Sequence, residues 1–216
     1  MTKKISNTNK ASSKPPVRRR KDARPAEIIA AGIEEFALHG FERARLVNIA
    51  ARAGISKGTI YLYFASKEAL FAAAIEEHVI KVLNQNEAEL IDFEGTTEEL
   101  VRKILWRMYT KILTRENLGL LRILISEAER VPQLAAQYHS HALGKSFAVL
   151  EAVITRGISR GELTESAATK EPSLVMAPAV FLAIHHLVFA ELEDIDVESF
   201  YEGHVELVLR GLGATN

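Results

Sequence analysis

The sequence predicts an all-α protein in two parts: an N-terminal three-helix module built around a helix-turn-helix, and a larger C-terminal helical bundle. Three observations lead there. No segment alternates apolar and polar residues with period two over a useful length, so no sheet is expected. The run Gly54-Ile55-Ser56-Lys57-Gly58-Thr59-Ile60-Tyr61-Leu62-Tyr63-Phe64 joins two short helical stripes through a glycine turn. Charge is also divided along the chain. Residues 1–67 carry 14 Lys and Arg against 5 Asp and Glu, a net +9, while the other 149 residues carry 13 against 23, a net −10. The near-neutral total of −1 hides two parts of opposite sign, and a basic part of this kind points to a polyanion partner.

Residues 1–21 form a basic arm. Lys3, Lys4, Lys10, Lys14, Arg18, Arg19, Arg20 and Lys21 sit among Ser, Thr, Asn and Pro, a composition that cannot offset its own ordering entropy, so disorder is expected. Two uses fit it, an arm along phosphates or in the minor groove, or a solubilising tail. It lacks the apolar core of a secretory signal. A first helix starts near Pro25, a favourable first-turn residue, and buries Ile29, Ile33, Phe36 and Ala37 before Gly40-Phe41 ends it. In the second helix Leu46, Ile49, Ala50 and Ala53 follow the 0, +3, +4, +7 spacing of one stripe, and Gly54 supplies the left-handed stop. Ser56 caps a third helix with Ile60 and Phe64 inward, and Ser66 caps a fourth with Glu68 near its positive end. The outward residues Lys57, Thr59, Tyr61 and Tyr63 are polar or cationic. Two short helices joined this way suit the DNA major groove, although spacing alone also fits a structural αα-corner.

The flanks decide between them. Ile28, Ile29, Phe36, Ala37, Gly40, Phe41, Ile49, Ala50, Ala53, Gly54, Ile55, Ser56, Lys57, Gly58, Thr59, Ile60, Tyr61, Tyr63, Phe64, Ser66, Lys67, Leu70 and Phe71 occur in an order that closely resembles the TetR/AcrR (tetracycline-repressor) family of bacterial transcription regulators. The resemblance implies a DNA-binding domain over residues 22–82, with its helix-turn-helix at 45–64, and an effector-binding and dimerisation domain over 83–216. It implies that Thr59 and Tyr61 reach base edges or a thymine methyl, that Gly58 permits close backbone approach, and that Lys57, Tyr63 and Lys67 hold phosphates. Ser56 opens the same surface. Tyr61 has a second reading, as a packing residue of the module's small core. Two positions depart from the family pattern. Arg45 stands where members usually carry a threonine cap, and Val47 where a polar or basic residue follows. Arg45 cannot cap as a hydroxyl does, but it can reach a phosphate.

The helical pattern continues from Ser66 to about Phe93 as a long connecting helix. Gly95-Thr96-Thr97 breaks it, and Thr97 is expected to cap a helix reaching about Arg115, with Leu100, Ile104, Met108 and Ile112 on one stripe and Trp106, Tyr109 and Leu113 on another. A helix apolar on two faces belongs inside a bundle. Leu118 to Ile125 is apolar on most sides, and Pro132 opens a long helix stopped by Gly161. Ser173 to Ala190 contains no Asp, Glu, Lys or Arg, a length at the lower limit for a membrane span. Pro178, His185 and His186 within it, the lack of basic flanks and the acidic run that follows favour a soluble helix buried on both sides, and no membrane partner is expected. In TetR-like proteins the last two helices pair with those of a second subunit, which here implies a homodimer through 172–192 and 197–212, reading a palindromic double-stranded operator.

Catalysis has no support in the sequence. His139 and His141, like His185 and His186, point apart on a helix, and no HExxH, GxSxG, Walker or GxGxxG pattern occurs, so neither metal nor cofactor is expected. Zero cysteines fit a cytoplasmic location. The resulting expectation is a ligand-responsive regulator, a repressor released from its operator by a small apolar or amphipathic effector. Trp106, Tyr109, Tyr138, Phe147, Met176 and His185 are the candidate pocket residues, because aromatics and a polar handle suit such sites. The competing class is a helical small-molecule-binding or adaptor protein that never touches DNA.

Overall fold

The computed structural model describes residues 17–214, with side chains from Arg24 onward. Its elements are helices and turns, with no strand among the described residues. Helix α1 spans Val17–His39 and holds Pro25 inside it. The expected start at Pro25 is therefore corrected to Val17. Proline removes one amide and crowds one carbonyl four residues back, but Arg18 to Lys21 are good helix formers, so the helix persists upstream. Of the arm expected to be disordered, residues 17–21 are helical and residues 1–16 lie outside the described ones.

α1 ends at Gly40 (φ +76°), whose amide bonds Phe36 O at 2.9 Å. α2 (Leu46–Arg52) begins at Arg45, which is extended and makes no side-chain cap. Gly54 (φ +65°) closes α2 with the paired bonds of a Schellman turn, Ile55 N to Ala50 O at 2.9 Å and Gly54 N to Ala51 O at 3.1 Å. α3 (Lys57–Ile60) follows, then α4 (Lys67–Ile75), with Ser56 and Ser66 capping as expected. α4 runs without a break through a π-turn at Glu76–Ile80 into α5 (Lys81–Asp92), which makes the long connecting rod.

α6 (Thr97–Ile112) is capped one residue earlier than expected. Thr96 and Glu99 form a reciprocal capping box, while Thr97 is buried. α7 spans Arg115–Glu127. α8 (Pro132–Tyr138) passes through a second π-turn at His139–Leu143 into α9 (Gly144–Ser159), and Gly161 at φ +71° ends that rod. α10 (Pro172–Phe189) and α11 (Val197–Gly211) close the chain.

Two apolar cores result, and they do not divide at residue 82. Phe36, Phe41, Ile60 and Phe71 of the N-terminal module share one core with Leu120 and Ile123 of α7 and Leu134 of α8. The second core joins α6, α9, α10 and α11 through Leu100, Leu105, Val153, Leu182 and Val205. The N-terminal module thus packs on two helices of the bundle as well as being tethered through α4.

α10 was expected to be buried on both sides, and within one chain it is not. Its own core takes Val175, Ala179, Leu182 and Ala183, while Leu174, Phe181, Ile184, Val188 and Phe189 stay exposed. By length and composition this helix passes as a membrane span, with 22% of it buried.

Candidate nucleic-acid interface and ligand cavity

The N-terminal surface is set by the α1–α2 corner. Glu35 is buried, and its carboxylate accepts Asn48 Nδ2 and Arg52 Nη2, each at 3.1 Å. A buried carboxylate held by two donors from one helix fixes the angle between α1 and α2, and through the Gly54 turn the direction of α3.

On α3, Ser56 Oγ accepts the Thr59 amide at 3.1 Å and lies 2.7 Å from Thr59 Oγ1. Thr59 as a whole is half-buried, and its hydroxyl is already shared with the cap. Lys57 is exposed and makes no ion pair among the described residues. Tyr61 is 51% exposed, so the packing reading for it is set aside. Tyr63 is the one that packs, leaning on the module's core. At Gly58 an added Cβ would meet only Ser56 Oγ at 3.9 Å, so nothing inside the protein requires a glycine there. Leu62, 83% exposed beside Tyr61, was missed, because a lone Leu in a turn carries no chemical signal in the sequence. Arg45 is exposed at the start of α2.

Lys67 makes contacts within the protein that were not expected. Its Nζ donates to Phe41 O at 2.8 Å and Glu42 O at 2.7 Å, and it sits 4.8 Å from the centre of the Phe41 ring. An ammonium has three donors, and two of them are committed to the turn after α1. Lys67 is thus a staple between α4 and that turn, with a third donor not committed to either carbonyl.

The bundle holds a cavity of about 280 Å³ lined mainly by apolar side chains, including Val82, Leu83, Ile104, Met108, Leu120 and Val149. Both π-turns border it, through His78 and Val79 on one side and Leu143 on the other. Of the six expected pocket residues, Tyr138 and Met176 line it. The other four do not. Tyr109 is fully buried in the second core, its hydroxyl 2.9 Å from His204 Nδ1, and burial pushes its pKa above the usual phenol range. Trp106 turns outward, 44% exposed, with its ring edge-on to Tyr201. His185 lies among Phe181 and Phe189, 3.3 Å from Glu193. Phe147 is half-buried away from the lining. Aromatic character alone cannot tell a core residue from a lining one, because both faces of a bundle helix are apolar.

Apart from Tyr138, the polar lining was missed. His78, Asn86 and Asn117 border the cavity with it. Burial lowers the pKa of His78 and raises that of Tyr138, so both are uncharged near neutral pH. The available signal was the i, i+4, i+8 stripe His78-Val82-Asn86, which sets two polar side chains on the inward face of the connecting rod.

Comparison with known proteins reproduces this two-part organisation. Residues 28–74 match the family described as bacterial regulatory proteins, tetR family, and residues 94–200 match the tetracyclin repressor-like, C-terminal domain. A fatty acid metabolism regulator protein of Bacillus subtilis (strain 168) is 26% identical over 141 residues, covering 64% of this chain and 70% of that protein. Among solved structures, the regulator FadR from Bacillus subtilis in complex with stearoyl-CoA matches with a TM-score of 0.67 and 19% identity, over 86% of this chain and 98% of that one. The SmeT–triclosan complex matches with a TM-score of 0.74 and 22% identity, over 87% and 90%. At such identities the structural matches speak for the fold. The chain belongs to the TetR family and is a ligand-responsive, DNA-binding transcriptional regulator.

Proposed function

We propose that the protein is a repressor that binds a palindromic operator as a homodimer and leaves it when a small apolar effector fills the 280 Å³ cavity. One observation carries the switch. The cavity lies against the π-turn at Glu76–Ile80, inside the rod whose first turns, α4, anchor the DNA module through Leu70, Phe71, Ala74 and Ile75. A π-turn holds one residue more than an α-turn and often marks a functional site. A ligand that changes its packing shifts α4 and with it the separation of the two α3 helices, of which DNA accepts one value.

On the DNA side, Thr59, Tyr61 and Gly58 face the bases, while Lys57 and Arg45 serve phosphates. Ser56 orders the start of α3, and Tyr63 supports it from behind. The exposed stripe Leu174, Phe181, Ile184 and Val188 on α10, with Leu207 on α11, is the surface for the second subunit. Gly203, where an added Cβ would meet nothing within 4 Å, lets the facing helix approach closely. A shared four-helix interface accounts for the apolar length of α10 without a bilayer, and a cytoplasmic location goes with binding chromosomal DNA.

The test is fluorescence anisotropy against duplexes from the gene's own promoter region, with a scrambled duplex as control, at fixed salt. The reading expects tight binding to one duplex at a stoichiometry of two chains. Binding to neither duplex would leave the adaptor reading in its place, and equal affinity for both would overturn the operator.

A further inference from the structure

Asn117 carries an oxygen that nothing in the protein satisfies. It lies in the first turn of α7 and borders the cavity together with His78 and Lys111. Its Nδ2 donates to Lys111 O at 2.7 Å and reaches His78 O at 3.5 Å. Both partners are carbonyls, which only accept, so the amide cannot be turned the other way round. Oδ1 is therefore the free end of the amide. It is shut off from solvent, and no donor in the protein meets it. Of the buried side-chain nitrogens and oxygens along the cavity lining, it is the one left without a partner. An acceptor in that state costs folding free energy, which a donor brought by a ligand returns.

The charge of the lining narrows that donor. No Asp or Glu borders the cavity, whereas Lys111 does. An ammonium group would lose its hydration there without gaining a counter-ion. A carboxylate only accepts, and would set its oxygens against the Asn117 oxygen. A neutral hydroxyl meets neither cost. We infer that the cavity selects an apolar alcohol, whose hydroxyl donates to Asn117 Oδ1 while its hydrocarbon fills the rest of the lining. A site with a dry acceptor discriminates against a molecule that has no donor to offer it. This inference rests on the cavity being the effector site, and it adds the polar group by which an effector is chosen.

The test uses the full-length protein and two isomers, 1-octanol and heptyl methyl ether. They match in size and both accept, but only the alcohol donates. Calorimetry measures the binding of each to the wild type and to Asn117→Leu. In that variant Lys111 O keeps the Thr114 hydroxyl at 2.9 Å, so the turn into α7 retains a partner. The wild type binds octanol about three- to tenfold more tightly than the ether, the worth of one neutral hydrogen bond. Asn117→Leu removes that preference by weakening the alcohol, and leaves the ether unchanged or tighter. Equal binding of the two isomers by the wild type, or a preference that survives in Asn117→Leu, overturns the inference while leaving the cavity an effector site. Binding of neither isomer to the wild type overturns both. Thermal melts report whether the variant folds, and the wild-type comparison decides the matter if it does not.

Discussion

Lys67 Nζ sits 2.8 Å from the Phe41 carbonyl oxygen, over the ring of the same residue, and so ties α4 to the turn that ends α1. The contact spans 26 residues of sequence and joins the start of the connecting rod to the frame that carries α2 and α3. A cation at that position is therefore part of how the DNA module is held together.

Lys67→Ala is expected to lower stability by about 1–2 kcal/mol, because the Phe41 and Glu42 carbonyls lose a charged donor. The salt dependence of DNA binding should keep its slope. Urea denaturation and anisotropy at several salt concentrations measure the two effects, and a flattened slope at unchanged stability would return Lys67 to the phosphate contacts.

Lys57→Ala should behave in the opposite way. Its side chain has no partner within the described protein, so stability stays within about 0.5 kcal/mol, while the slope of log affinity against log salt falls by about 1. Thr59→Ala is expected to leave that slope nearly intact and to relax discrimination at one or two operator positions. Affinities for a panel of single-base operator variants separate the two classes.

Gly58→Ala distinguishes a glycine kept for folding from one kept for a partner. The open space at its Cβ position and its ordinary backbone geometry mean that alanine stabilises the module by up to about 1 kcal/mol. Operator affinity should nevertheless fall, since the added methyl occupies the side that approaches DNA. A variant that melts higher and binds DNA as well as the wild type would show that the glycine serves no contact.

Val188→Glu and Leu207→Glu each place a carboxylate on an exposed position of the last two helices, where the residue leaves large apolar area uncovered within one chain, 61% and 66% exposed. Each should convert a dimer to a monomer in sedimentation equilibrium without lowering the helical content. Operator affinity should fall with it, because one recognition helix reads only half of a palindrome. A dimer that persists in both variants would place the interface elsewhere.

Much of the protein was legible in order along the chain. The glycine stop at Gly54, the serine caps at Ser56 and Ser66, and the stripes of Ile29, Ile49 and Ile60 are local, and a local rule acts on neighbours that the sequence itself places together. The division of charge needed no structure either. What the sequence did not show was decided by residues far apart in the chain. Lys67 became a staple because folding brings the Phe41 and Glu42 carbonyls to it. Tyr109 went to the core, where its hydroxyl meets His204, while Asn86, which borders the cavity, is tied to Arg107 of another helix. In a bundle every helix has more than one apolar face. Which face meets solvent, core, cavity or a second subunit is set by the packing of the other helices, and that information is not contained in the periodicity of any one of them.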